Sequence, residues 1–457
     1  MLSPTPIADN RSMRLPLAAV FILCLIPAIA PAQDTKSVKE PSFPAPCASL
    51  NAVAGAGEAQ PDTLRIQRAL DACSPGKAVR LEASVGHAVF LSGPLQLRKG
   101  VTLLVDSGVT LLASRNPRFY DRQPGVCGTI TEKGHGCLAL INGDGVSDAG
   151  VMGDGVIDGQ GGEPILGQTG SWWDLAEQAR KGGSQNNPRL LILNRCDNFT
   201  LYRITLRNSP NFHVSYSAGN GLTVWGVKVW SPQKARNTDG IDPGNSTNVT
   251  ITRNFIHTGD DQVAIKAGKG APTTNITVSD NHFYTGHGMS IGSETDGGAS
   301  RILVTNLSID GADNGLRIKS NSSRGGLVQD VVYDGVCIRA TKNPILMDTN
   351  YSYFGEARDK LPEFRDVVVR NTRIEGGGKV SLNGFDGTHR LAIRFDNVVF
   401  NDSAAIKSAA KEADISVGPG PFNLVVSGPN VRFDGKSAPT EPKSCVGAFP
   451  PFPGESK

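Results

Sequence analysis

The sequence predicts an all-β solenoid: a parallel β-helix with coils of about 26 residues and an N-terminal capping helix. Three observations carry this. Short runs of Val, Ile and Thr fill most of the 457 residues, punctuated by 53 glycines. One strand opening recurs as Asn198-Phe199-Thr200, Gly221-Leu222-Thr223, Asn248-Val249-Thr250, Asn275-Ile276-Thr277, Arg301-Ile302-Leu303 and Leu327-Val328-Gln329, its central residues 23, 27, 27, 26 and 26 apart. A second strand recurs inside each unit, centred on Ile241, Ile265, Ile291 and Ile318 at spacings of 24, 26 and 27. Propeller blades need about 40 residues or more, so this period favours coils stacked at about 4.8 Å.

Composition narrows the class. A chain 39% hydrophobic and 19% charged is too apolar for disorder, its glycine opposes a helical bundle, and no heptads are sustained. With 46 basic and 43 acidic residues, net +3, nucleic acid is not an expected partner, although a local positive patch for an acidic ligand is.

In chain order, residues 1–32 read as a signal peptide. Arg11 and Arg14 precede the apolar run Leu15 to Ile29, and Ala30-Pro31-Ala32 places cleavage before Gln33. Met13 is a second possible start. The 15-residue run is shorter than the roughly 18 needed to span a membrane, and no later segment is apolar enough, so export without a membrane anchor is expected. Residues 33–434 read as a single parallel β-helix domain. It begins with a helix over 62–73, whose Ile66, Ala69, Leu70 and Cys73 share one face behind Asp62 as N-cap. Residues 163–188 read as an irregular insertion, and 435–457 as a Pro-rich tail, a linker or loose end that Cys445 is a candidate to pin.

Cys24 leaves with the signal, seven cysteines remain, and the absence of a CxxC pair argues against a zinc ribbon. In an oxidising compartment, Cys127 with Cys137 and Cys47 with Cys73 are the disulfide candidates. Cys196, Cys337 and Cys445 stay unassigned, with Cys196 expected to pack rather than react. Asn198, Asn248, Asn275 and Asn306 precede strands and read as positive-φ turn residues stacking in ladders.

The register brings distant polar residues together. Asp260 and Asp261 lie 5 and 4 positions before Ile265, His287 lies 4 before Ile291, Arg317 and Lys319 flank Ile318, and Asp239 lies 2 before Ile241. Stacked isoleucines put these on one strip about 15 Å long. Alternation turns Arg317 and Lys319 outward. Paired carboxylates suit acid and base work on a glycosidic bond, and crowded carboxylates do not all ionise easily. Arg317 and Lys319 suit an anionic sugar, and His287 can tune an Asp by a hydrogen bond.

Asn237-Thr238-Asp239-Gly240, Gly259-Asp260-Asp261, Gly286-His287-Gly288 and Arg317-Ile318-Lys319 resemble, in order, the four signature motifs of the polygalacturonases, family 28 glycoside hydrolases. Ile157-Asp158-Gly159-Gln160-Gly161, Ser171-Trp172-Trp173, Ser209-Pro210-Asn211-Phe212-His213 and Gly286 through Glu294 resemble bacterial secreted endopolygalacturonases, and the likeness covers roughly 45–400. It implies a right-handed parallel β-helix and metal-free, inverting, endo-acting hydrolysis of α-1,4 bonds in polygalacturonate or pectin by a monomer. No cofactor is implied. It implies Asp260 as general acid, Asp239 and Asp261 as activators of water, and His287 as support for the acid's ionisation. Arg317, Lys319 and Tyr351 would contact substrate, and Asn237 and Lys266 join them as binding candidates. Gln262 departs from the Asn of those relatives. Three rivals remain open. One is an exo-acting or other pectin hydrolase of the same family. Another is a pectate lyase holding Ca²⁺ on Asp239, Asp260 and Asp261. The last is a β-helical adhesin or polysaccharide binder without catalysis.

Overall fold

Parallel backbone hydrogen bonds between strands one coil apart build the molecule. The computed structural model describes residues 1–4, 38–55, 57–352 and 355–454, so the expected signal peptide lies almost wholly outside the described residues. A 23-stranded sheet carries the first strand series and an 11-stranded sheet the second. Among the described residues, the only antiparallel strand pair joins Ser184–Gln185 to Ile130–Thr131. Between the sheets runs one apolar column that includes Val224, Ile251, Val278 and Val304 from the first, and Ile241, Val263, Met289 and Leu316 from the second. Each such buried side chain contributes about 1.5–3 kcal/mol.

The predicted register holds along Phe199, Leu222, Val249, Ile276 and Ile302. It fails at the next coil, where Ile302 pairs with Val331 and Val328 pairs with Ala299. In the second series Ile265, Ile291 and Ile318 stack, but Ile241 pairs with Val263 rather than Ile265. That coil is two residues shorter than the isoleucine count suggests. Strand residues alternate faces with period two, so this slip keeps every side chain on its expected face. Its effect is to set Asp239 level with Asp261: Gly240 N–H donates to the Asp261 carbonyl at 2.8 Å.

The asparagines behave as expected. Asn198, Asn248, Asn275 and Asn306 have φ of 51°, 57°, 58° and 49°. Asn275 donates to Asn248 at 3.2 Å and Asn248 to Asn220 at 2.8 Å, forming a ladder.

The N-terminal helix runs Thr63–Ala72 and lies on Leu95–Gln96, the terminal strand of the second sheet, with Ile66 and Leu70 buried. Asp62 does not cap it through its side chain. Its backbone is already helical, and its carboxylate accepts from Arg65 at 2.6 Å. Disulfides join Cys47 to Cys73 and Cys127 to Cys137, and Cys196 is free and buried. The stretch expected to be irregular contains a helix, Trp172–Gln178, started by a reciprocal Ser171–Asp174 capping box.

The chain from Gly435 onward is not a loose end. A Cys337–Cys445 disulfide holds it, Arg339 lies 4.3 Å over the Phe449 ring, and Tyr284 donates to the Pro450 carbonyl at 3.0 Å. Phe452 packs edge-on against His257 and Tyr284. The sequence hid this because a strap held by a few side chains has no strand or helix periodicity. Replacing Cys337 and Cys445 together by Ala is expected to cost about 2–4 kcal/mol, read as a lower denaturant midpoint. An unchanged midpoint would mean that the bond does not hold the strap.

Candidate active site

Asp239 ends the turn before the strand Ile241–Gly244. Thr238 fixes that turn, donating to the Ala235 carbonyl at 2.7 Å and accepting from Gly259 N–H at 3.0 Å. Behind it, buried His213 bonds the Asp239 carbonyl through Nδ1 at 3.1 Å and Ser231 Oγ through Nε2 at 3.1 Å. Burial pushes this imidazole down to about 4, so it is a neutral support.

Asp260 is held by His287. The His287 N–H donates to the Asp260 carbonyl at 2.8 Å, and its Nδ1 meets Asp260 Oδ1 at 2.9 Å. The other carboxylate oxygen lies 3.5 Å from Asn237 Nδ2. Gly286 and Gly288 make this approach possible: at φ of +130° and +83°, a Cβ would come 2.5 Å from the Asp260 carbonyl and 2.1 Å from that of Asn314. Gln262, the departure from the resembled motif, is buried and bridges the same two coils, donating to the carbonyls of Tyr284 and Thr285 at 2.8 and 2.7 Å.

Asp261 is locked. Its Oδ1 accepts from Ser290 at 2.8 Å and from Arg317, and its Oδ2 from Lys319 at 2.8 Å. Arg317 and Lys319 leave the core face as expected, yet they are only 4% and 6% exposed because Asp261 engages both. Tyr351 closes over them, its ring 5.1 Å from Lys319 Nζ and 5.9 Å from Arg317 Cζ. Lys266 Nζ lies 3.8 Å from Asp239 and 3.5 Å from Asp242. The structure therefore brings all nine sequence-predicted site residues together.

Two residues of this cluster were missed. Ser290 pairs in register with Arg317 and links it to Asp261, and both lie between inward residues on adjacent strands. Asp242 follows inward Ile241 and so faces the cleft beside Lys266. Alternation alone could have named both.

Electrostatics separate the carboxyls. Burial, then the charges of Asp260 and Asp242, holds Asp239 well above the usual range. Burial lifts Asp242 to about 7 against the pull of Lys266. Burial also pushes Asp260 up, but the His287 hydrogen bond, joined by the charges of His287 and Lys319, leaves the group low. For Asp261, Arg317 and Lys319 outweigh burial more strongly still. Burial pulls His287 down, and the Asp260 bond with the charges of Asp260 and Asp261 lifts it above its ordinary value. In the resting site a proton is thus favoured on Asp239, not on Asp260. Exposure runs the other way: the Asp260 side chain is 17% exposed, those of Asp239 and Asp261 4% and 1%.

Donor atoms of Asp260, Asp261 and His287 lie within 4.8 Å of one another, close enough for a metal ion. The chemistry of this set opposes one, because both Asp261 oxygens already accept from cations and the Asp260 oxygen from His287. Beside the cluster, an open cleft of ≈ 810 Å³ is lined by Arg122, Lys133, Arg189, Phe212, Arg236 and Asn237, among others.

The profile of the family described as glycosyl hydrolases family 28 matches residues 73–416. An endo-polygalacturonase of Pectobacterium parmentieri is 44% identical over 379 residues, covering 82% of this chain and 92% of its own. A polygalacturonase of Ralstonia nicotianae is 42% identical over 428 residues, covering 80% of each. A solved polygalacturonase of Erwinia carotovora ssp. carotovora, 41% identical, superposes with a TM-score of 0.79 over 87% of this chain and 100% of its own. The matched span contains both strand series and every acid, imidazole and cation of the cluster, and on that ground the chain belongs to glycosyl hydrolase family 28.

Proposed function

We propose that the chain is an exported endo-polygalacturonase that hydrolyses α-1,4 bonds inside unesterified polygalacturonate, with inversion and without a metal. The observation that carries this is the junction of the most open carboxyl, Asp260, with an imidazole on one side and a carboxylate-bound cation pair on the other. The endo-polygalacturonase relative supports the mode of action. Export rests on the N-terminal charge and apolar pattern and on three disulfides; among the described residues no helix is long and apolar enough to cross a membrane.

In this reading Arg317 and Lys319 keep donors that Asp261 leaves unused, and these take the sugar carboxylate beside the scissile bond. Tyr351 covers that sugar, and Asn237 and Lys266 line the path on either side of the acids. Asp260 gives its proton to the leaving oxygen. Water attacks the anomeric carbon from the other face, its proton passes to Asp239, and the C–O bond breaks. Asp261 is too weak a base to take that proton; it orients the water and the cations. The proton therefore ends on Asp239, where the resting site favours it. Substrate that displaces water from Asp260 raises its pKa and returns the proton for the next cycle.

Three outcomes test this. Asp260→Asn should lower kcat on polygalacturonate at least a hundredfold. The unaltered protein in excess EDTA should release reducing ends with no gain in ultraviolet absorbance. Activity that needs Ca²⁺ and yields an absorbing product would identify a lyase instead. His287→Ala removes the bond that depresses Asp260, so the acid should keep its proton to higher pH. The alkaline limb of the kcat profile should move upward while its maximum falls; a downward move would mean that His287 helps Asp260 hold its proton.

A further inference from the structure

The catalytic column continues past Asp239 toward the N-terminal coils. Leu191 pairs with Val214, Val214 with Ile241 and Ile241 with Val263. The residues two positions before each, Arg189, Phe212, Asp239 and Asp261, therefore stand in one line. Backbone bonds agree: Leu190 N–H reaches the Phe212 carbonyl at 3.1 Å, and His213 N–H reaches that of Asp239 at 2.8 Å. Arg189 thus stands two coils, about 10 Å, from Asp239 on the side away from Arg317.

Arg189 is built into the cleft wall. Its guanidinium lies 4.5 Å over the Phe212 ring, and Lys266 Nζ lies 5.4 Å from the same ring. The one hydrogen bond the guanidinium makes among the described residues runs from Nη1 to Ser215 Oγ at 2.8 Å. No carboxylate among the described residues pairs with it, unlike Arg317. A guanidinium fixed by a ring and a hydroxyl, with its remaining donors free, is preorganised for a planar carboxylate.

We propose that Arg189, held by Phe212 and Ser215, is a second carboxylate-binding subsite for the acidic polymer, across the catalytic acids from Arg317 and Lys319. This rests on the polygalacturonase reading and extends it: cations on both sides of the scissile bond grip a chain that passes through the site. Binding energy comes from both flanks, which suits cleavage within a polymer.

The test is calorimetric titration of a galacturonate hexamer into full-length Asp260→Asn protein, with and without Arg189→Gln. Gln keeps a donor for Ser215 while removing the charge. Kd should rise about tenfold, and a fully methyl-esterified hexamer should lose no further affinity on the substitution. Arg189→Lys, which keeps charge without the fork, should fall between. Equal losses for the acidic and esterified hexamers, or no loss for either, would overturn the subsite. If the unaltered protein still hydrolyses polygalacturonate in that case, only the subsite falls. If it neither hydrolyses the polymer nor binds the hexamer as Asp260→Asn, the reading beneath falls as well.

Discussion

The parallel hydrogen bond between successive coils is the constraint on which everything else depends. It fixes the axial step at about 4.8 Å and leaves each coil free only in length and side chains. Residues tens of positions apart become neighbours because the backbone gives them no other arrangement. Asp239, Asp261 and His287 are placed by their coils, and their side chains then decide the chemistry.

That chemistry divides by partner. Three carboxyls stand together, yet one meets two cations, one meets an imidazole, and one has an oxygen with no hydrogen-bond partner. Burial alone would raise all three; the partners pull two of them down. One fold position thus yields three carboxyls that differ in partners and in hold on a proton. The neutral His213 beneath and the bridging Gln262 belong to the same design, since both hold the backbone that aims these groups.

Much of this was legible in the residues. The strand repeat gave the solenoid, and the isoleucine register gathered the acids, the imidazole and the cations on one strip. Disulfides between near neighbours, Cys47–Cys73 and Cys127–Cys137, were also readable. What escaped has physical reasons. The Cys337–Cys445 bond joins partners 108 residues apart, which spacing cannot pair. The engagement of Arg317 and Lys319 by Asp261 depends on side-chain direction, not on which face a residue occupies. The helix Trp172–Gln178 is one capping box and two turns, too short for a hydrophobic period to show. The slips at Val263 and Val331 are changes of coil length that a count of similar residues cannot detect.

The two-residue offset at Val263 bears on how such a chain can change length. A strand that gains or loses one residue turns its core side chains to solvent and its cleft side chains inward unless the adjoining turn absorbs the change, as it does between Val263, Met289 and Leu316, which stack inward although their coils differ by one residue. A change of two leaves both faces intact and moves only the level at which a loop residue stands. Insertions and deletions within the strands are therefore filtered by parity. Odd changes are confined to turns that can absorb a bulge, while even ones re-aim the cleft side chains and leave the core unchanged. Asp239 standing level with Asp261 is one such even step, preserved in the molecule.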